Sequence, residues 1–518
     1  MISAVEFRRL SKSFHGVHAN VDISFQVKKG SIHAIIGENG AGKSTAMKML
    51  YGTYQPDSGE IWINGKLWGN GGKPWSSPLD AIRSGIGMVH QHFMLSAPHT
   101  ALDNILLGVE TSHPAFAWLP KPLRPIAREG ARQKLNQIAD QFGLRVDWAA
   151  KIETLSVGIQ QRIEILKLLY RDAEILILDE PTAVLTPQET VELFGQLKKL
   201  CQLGKTVIII THKLKEVMNV ADEVTVFRGG KVVGARKTSA TSIEELADLM
   251  VGRKVNLQVE LPPLPQLKEP VLEVSNLNLP LRHGLKNLNF QIQSGEIVGI
   301  SGVEGNGQSE LLQLLLHPRE FASVMSGSVK ILGKNTARMT TEEVKELGVG
   351  VIPDDRLRDG LLLERSVQEN FLLGLQRRKP FSRRGIVSFK KLAQEVSRVI
   401  DEYDIRPPLS QAIAGRLSGG NQQKIVIARE FRYSPRFLIA SQPTRGVDVG
   451  AIEFIHKRIL KAREEGSGVL LISSELDEIL ALSDRILVLF DGKILAEFKR
   501  GEATEQALGL RMGGAVSV

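Results

Sequence analysis

The chain has 518 residues, 42% hydrophobic and 24% charged, with a formal charge of +9 and a single cysteine. That length holds two to four domains, each able to bury a core, and the balance of apolar to charged residues excludes wholesale disorder. Cys201 alone excludes an internal disulfide and any multi-cysteine zinc or iron–sulfur centre, which fits a reducing compartment.

The stretch from Met1 to Leu10 has no cationic segment followed by an apolar core, so no secretory signal is expected. A membrane helix needs a run of about 18 apolar residues, and none occurs; if solute crosses a membrane, other chains form the path. The basic charge suits nucleic acid, anionic lipid or nucleotide phosphate, and equally a solvated surface.

In chain order, the apolar run Ser31-Ile-His-Ala-Ile-Ile36 predicts a strand, a glycine-rich turn follows, and Ser44-Thr45-Ala-Met-Lys-Met-Leu50 predicts a helix. Gly69 to Pro78 and Pro114 to Pro125, within the stretches near 67–78 and 112–125, read as surface insertions. Glu174 to Leu178 and Thr206 to Ile210 read as buried strands of a parallel sheet. Leu261-Pro-Pro-Leu-Pro265 marks a linker over 256–270.

The same order then returns, offset by roughly 260 residues, as a domain-sized duplication. Glu296 to Ser301 answers the first strand, Gly302 to Gly307 the turn, Glu310 to Leu316 the helix, and Phe437 to Ala440 and Gly468 to Ile472 the later strands. An α/β architecture of two domains, 1–255 and 271–518, is the expectation.

Gly37, Glu38, Asn39, Gly40, Ala41, Gly42, Lys43 and Ser44 fit G-x-x-x-x-G-K-S, whose backbone N–H groups wrap phosphates while the lysine meets the outer ones. Ser44 is placed to ligate magnesium. Ile175-Leu-Ile-Leu-Asp179-Glu180 ends a strand in two carboxylates, one suited to a hydrated magnesium ion and one to polarising water, which is the chemistry of phosphoanhydride hydrolysis. His90 and His92 invite a metal reading, but no third ligand is apparent.

Leu155-Ser-Val-Gly-Ile-Gln-Gln161 and Leu417-Ser418-Gly419-Gly420-Asn-Gln-Gln423 resemble the signature sequence of ATP-binding cassettes. The resemblance covers the whole chain. It implies that Phe14 stacks on adenine, that Gln91 is the Q-loop glutamine and a magnesium ligand, that Thr45 joins the phosphate loop in holding ATP, and that His212 is the switch histidine. The catalytic set is then Glu180, His212 and Gln91, with Ser44, Gln91 and Asp179 holding Mg2+.

The second copy departs from this pattern at its reacting positions: Gln308 replaces the lysine, Ser441 and Gln442 the two carboxylates, Asp354 the Q-loop glutamine and Ser474 the histidine. The family packs two cassettes head to tail, each nucleotide between one phosphate loop and the other signature. Ser418, Gly419, Gly420 and Asp448 would then face the complete set, while the altered signature around Val157 and the aspartate-free Leu185-Thr186 face the altered one.

The closest form is the tandem ATPase of bacterial simple-sugar and nucleoside importers. Met88 to Leu95, Gln160 to Lys167 and Asp179 to Gln188 resemble its nucleoside branch. The resemblance implies two membrane permease subunits, an external solute-binding protein or lipoprotein, a place on the cytoplasmic face of the cell membrane, and no nucleic-acid partner. A simple sugar such as ribose or galactose is the alternative solute. The rival from another class is a soluble tandem cassette acting on ribosomes or nucleic acid; such factors have two competent sites and a long charged linker, unlike this chain.

Overall fold

In the computed structural model, residues 3–512 are described except 15–16, 69–76, 92, 111–125, 183–184, 186, 256–268, 282, 304 and 384–385. Most of the 256–270 linker and of both expected insertions therefore lies outside the described residues; Pro270 opens a strand and Pro78 a helix. The chain forms two compact units, Met1–Val255 and Asn256–Val518.

The strands of the first unit are β1 (Ser3–Phe14), β2 (Val17–Lys28), β3 (Ile32–Gly37), β4 (Ser58–Ile63), β5 (Lys66–Leu67), β6 (Ile86–Val89), β7 (Ile175–Asp179), β8 (Thr206–Ile210), β9 (Glu223–Arg228) and β10 (Lys231–Lys237). They build a six-stranded sheet in the order β10-β9-β3-β8-β7-β6 and a four-stranded sheet in the order β2-β1-β4-β5. Neighbours from β9 to β6 are parallel. Every residue of β3, β7 and β8 is buried, because such a sheet is covered on both faces; this is why these strands are near-continuous apolar runs, interrupted within β3 by His33.

The helix Lys43–Leu50 lies between the two sheets, and its Ala46, Met47, Met49 and Leu50 share one core with Val5 and Phe7 of β1 and Ile177 of β7. Phe25 stacks on Phe7 at 4.4 Å and meets Phe227 edge-on at 5.7 Å, which joins the sheets. Packing on both sides fixes where this helix begins, and hence the loop before it.

The second unit repeats the design. Its parallel sheet runs Val349–Ile352, Phe437–Ser441, Gly468–Ser473, Ile297–Ser301, Arg485–Phe490 and Lys493–Lys499, the same order with the last strand antiparallel. No helix among the described residues is long and apolar enough to cross a membrane.

One buried element differs. The 16-residue helices Pro187–Gln202 and Val449–Glu464 correspond, and Cys201 occupies the place of Arg463. Arg463 makes a two-point ion pair with Asp484 at 2.8 Å, side chains 1% and 2% exposed, while Asp484 also accepts from Ile297 N. In the first unit Asp222 keeps the bond to Ile32 N but is exposed, and burial, with the Asp222 charge, pushes the Cys201 thiol up to about 12. A protonated thiol is a packing group, not a redox one. Arg463→Met should destabilise the second unit by about 3–5 kcal/mol by leaving a buried carboxylate unpaired. Cys201→Ser should cost the first unit about 1 kcal/mol or less. Hydrogen exchange on Ile297–Ser301 and Ile32–Gly37 in the two variants checks both.

Candidate active site

The phosphate loop of the first unit spans the end of β3 and the start of the helix Lys43–Leu50. Gly42 caps that helix at φ +96°, where a side chain would be strained and would also strike the Ala19 carbonyl and the Asn20 amide. Asn20, fully buried, donates to Gly42 O at 3.2 Å and so ties the loop to β2. Lys43 is 6% exposed and donates to the carbonyls of Gly37 (2.7 Å) and Glu38 (2.9 Å), holding its ammonium across the loop. Thr45 follows Ser44 in the first turn.

The strand-end carboxylates lie beside that loop. Asp179 hydrogen-bonds Ser44; burial and the Glu180 charge raise its pKa above the ordinary carboxylate value, opposed by Ser44, Lys43 and Lys48. Glu180 sits at φ +48°, its N–H bonded to Ile210 O of the neighbouring strand. Its carboxylate is gripped from two sides: Gln91 Nε2 donates to Oε2 at 2.7 Å, and His212 Nδ1 meets Oε1 at 2.9 Å. Burial works to raise the Glu180 pKa, but the His212 hydrogen bond and the charges of His212, Lys43 and Lys213 outweigh it and leave it lowered. Glu180 is thus an ionised acceptor at neutral pH.

Phe14, at the end of β1, meets Tyr54 edge-on at 5.0 Å, and Lys12 and Lys48 stand 5.4 and 5.9 Å from the two rings. Sequence reasoning named Phe14 but neither Tyr54 nor Asn20; each lies outside the motifs, and no local pattern announces it. His90 packs edge-on to Tyr51 at 5.9 Å and is lowered by burial, and His92 lies outside the described residues. No group of three metal-binding side chains forms among the described residues.

The second unit keeps the backbone and loses the charges. Gln442 sits at φ +46° with its N–H on Ile472 O, the same turn as Glu180. Its Oε1 accepts from Ser474 N (3.2 Å) and Oγ (3.1 Å). Ser441 is buried at the place of Asp179. Gln308 folds over its loop as Lys43 does, donating from Nε2 to Val303 O at 3.2 Å, and its Oε1 is buried without a partner among the described residues. Asp354 accepts from the N–H of Asp355.

The signature of this unit is well formed. Ser418 caps the helix Gly419–Glu430, its Oγ accepting from Asn421 N at 3.4 Å and from Asn421 Nδ2 at 2.9 Å. Asp448 caps Val449–Glu464 through Ala451 N at 2.8 Å, and Gly420 packs so close to Asp448 that a methyl there would crowd the carboxylate. In the first unit Val157 stands 39% exposed in place of Gly419, and Glu189 lies against Gly158.

These donor sets fit a nucleoside triphosphate with a divalent cation in the first unit. A loop whose Gly37 and Gly42 leave no room for a Cβ, together with a buried ammonium, suits phosphates; the paired oxygens of Ser44 and Asp179 suit a hard cation. The second unit offers a neutral amide and no carboxylate at those places.

Fold and site together define a tandem ATP-binding-cassette ATPase. A model described as ABC transporter matches residues 21–183 and 285–445, and the chain belongs to that family. It is 44% identical to the nucleoside import ATP-binding protein NupA of Lactococcus lactis, over 99% of this chain and 98% of that one. It is 46% identical to the guanosine import ATP-binding protein NupO of Bacillus subtilis (98% and 97% covered), and 41% identical to a glucose import ATP-binding protein of Haloferax volcanii (98% and 96%).

His212→Ala removes one of the two grips on Glu180. ATP hydrolysis should fall by a factor on the order of 10² while ATP binding, measured by equilibrium dialysis, is retained. Gly42→Ala should do the reverse, abolishing binding at this loop because the left-handed turn and the Ala19–Asn20 wall leave no room for a methyl.

Proposed function

We propose that this chain is the ATP-hydrolysing subunit of a nucleoside importer, acting on the cytoplasmic face of the cell membrane with two integral-membrane permease subunits and an external solute-binding protein or lipoprotein. The observation that carries the hydrolytic part is the convergence of Gln91 and His212 on Glu180 beside Lys43, Ser44 and Asp179. The solute is inferred from full-length likeness to proteins named for nucleoside and guanosine import.

In the working site Gly37 to Thr45 hold the phosphates, with the base against Phe14. Ser44, Gln91 and Asp179 would hold magnesium, which supplies charge neutralisation on the phosphate oxygens. Glu180 accepts a proton from water as the water oxygen bonds the γ-phosphorus and the bond to the β-phosphate oxygen breaks; His212 orients that carboxylate. Ser418, Gly419, Gly420 and Asp448 complete this site. The support is the sequence itself: the altered signature lies in the other copy from the altered phosphate loop, as cross-pairing of the copies requires and independent copies do not.

Glu180→Gln should cut steady-state ATPase by about 10² or more, whereas Gln442→Glu should leave it within about twofold, since Gln308 and Ser441 remain. In cells, the Glu180→Gln form should lose uptake of labelled nucleosides and keep that of ribose and galactose. The glucose-import relative favours a sugar as the second reading. Loss of sugar uptake instead would overturn the nucleoside reading and leave the hydrolytic one standing.

A further inference from the structure

In the second unit, the segment after the Q-loop position does not end in solvent. Asp355 accepts from the N–H groups of Leu357 (2.9 Å) and Arg358 (3.1 Å), fixing the start of the single π-helical turn Arg356–Gly360. That turn aims Arg356 inward. Its Nη1 donates to Arg445 O at 2.5 Å, its Nη2 to Gly446 O at 3.1 Å, and its Nε approaches Gln422 Oε1 at 3.4 Å. Nη2 also lies so near Gly419 that a Cβ there would stand 2.5 Å away.

One guanidinium therefore touches three elements: its own segment, the loop that leads to Asp448, and the signature helix Gly419–Glu430. All three acceptors are neutral. Burial pushes the Arg356 pKa below the ordinary arginine value, with the Asp355 charge opposing. A half-buried cation spent on carbonyls beside a left-handed Gly446 (φ +66°) fixes geometry through a planar fork that no other side chain reproduces.

The first unit solves the same problem differently. Phe93 stands at the corresponding place, and the segment is held by Glu164 accepting from Met94 N at 2.8 Å and Lys167 donating to Met94 O at 3.4 Å. Both residues lie on that unit's signature helix, Val157–Tyr170, so the segment is held by carboxylate and ammonium from the helix flank and not by a guanidinium of its own. The link through Arg356 belongs to the copy whose own reacting positions, 441, 442 and 474, are neutral.

We propose that Arg356 is a positioning residue for ATP hydrolysis: it locks the post-Q-loop segment of the second unit to Arg445–Gly446 and to the signature helix, so that these parts serve the working site in one fixed arrangement. The inference rests on the reading that Ser418 to Gly420 and Asp448 complete the site built on Glu180. It explains why an impaired copy retains an ordered segment at its Q-loop position.

The test is ATPase kinetics of the full chain with Arg356→Met and Arg356→Lys, beside wild type and Glu180→Gln. The expected result is a fall in kcat of about tenfold or more for Arg356→Met, with KM for ATP and bound ATP little changed. A single ammonium cannot span the three acceptors, so Arg356→Lys should recover only part of the rate. Melting temperature separates positioning from folding. A fall in kcat with melting and ATP binding preserved in either variant supports the proposal. Wild-type kcat in Arg356→Met overturns it, as does loss of rate that in both variants accompanies loss of melting temperature and ATP binding. If Glu180→Gln keeps its ATPase, the underlying assignment of the base has failed instead, and the two failures are distinct.

Discussion

The grip on Glu180 is the constraint around which the site is arranged. A carboxylate at the end of a buried strand, turned outward at positive φ and bonded on one oxygen by Gln91 and on the other by His212, is held in one orientation with acceptor capacity left on each oxygen. The turn is set by the sheet, through Glu180 N on Ile210 O, and so by the packing of β7 and β8. Gln442 makes the same turn on Ile472 O. The backbone persists where the chemistry has gone, because the sheet and not the reaction dictates it.

The same separation holds at the phosphate loops. Both follow a strand of the central sheet and both hand over to a helix through a left-handed glycine, Gly42 or Gly307. What differs is charge. Lys43 holds an ammonium across two carbonyls of its loop, whereas Gln308 presents an amide whose Oε1 has no partner among the described residues. A neutral donor still permits binding but contributes far less to stabilising charge that develops in the transition state. Each unit thus keeps what the other lacks: the first a charged reacting set, the second a well-capped signature.

Much of this was legible in the sequence because a parallel sheet buried on both faces writes its strands as near-continuous apolar runs, and because phosphate loops need glycine and lysine at fixed spacing. The expected strands at 31–36, 174–178 and 206–210 are found at Ile32–Gly37, Ile175–Asp179 and Thr206–Ile210. Long-range partners were not legible. Tyr54 beside Phe14, Asn20 behind Gly42 and Arg356 beneath Gly446 are each brought to their places by tertiary packing, and each belongs to a residue type that is usually unremarkable on a surface. Cys201 could be read as filler, but that it stands where the other copy places a buried arginine emerges only when the two helices are superposed in register.

The proposed function is asymmetric, with one nucleotide site turning over and the other, built on Gln308, Ser441 and Gln442, holding nucleotide. A single-turnover measurement on the wild-type chain tests it most directly, with radiolabelled ATP loaded to saturation, excess removed, and product counted per chain after quenching. One nucleotide per chain should be hydrolysed in a fast phase, with any second bound nucleotide recovered as ATP. Rapid conversion of two per chain would contradict it, since Gln442 and Ser441 would then have to catalyse without a carboxylate.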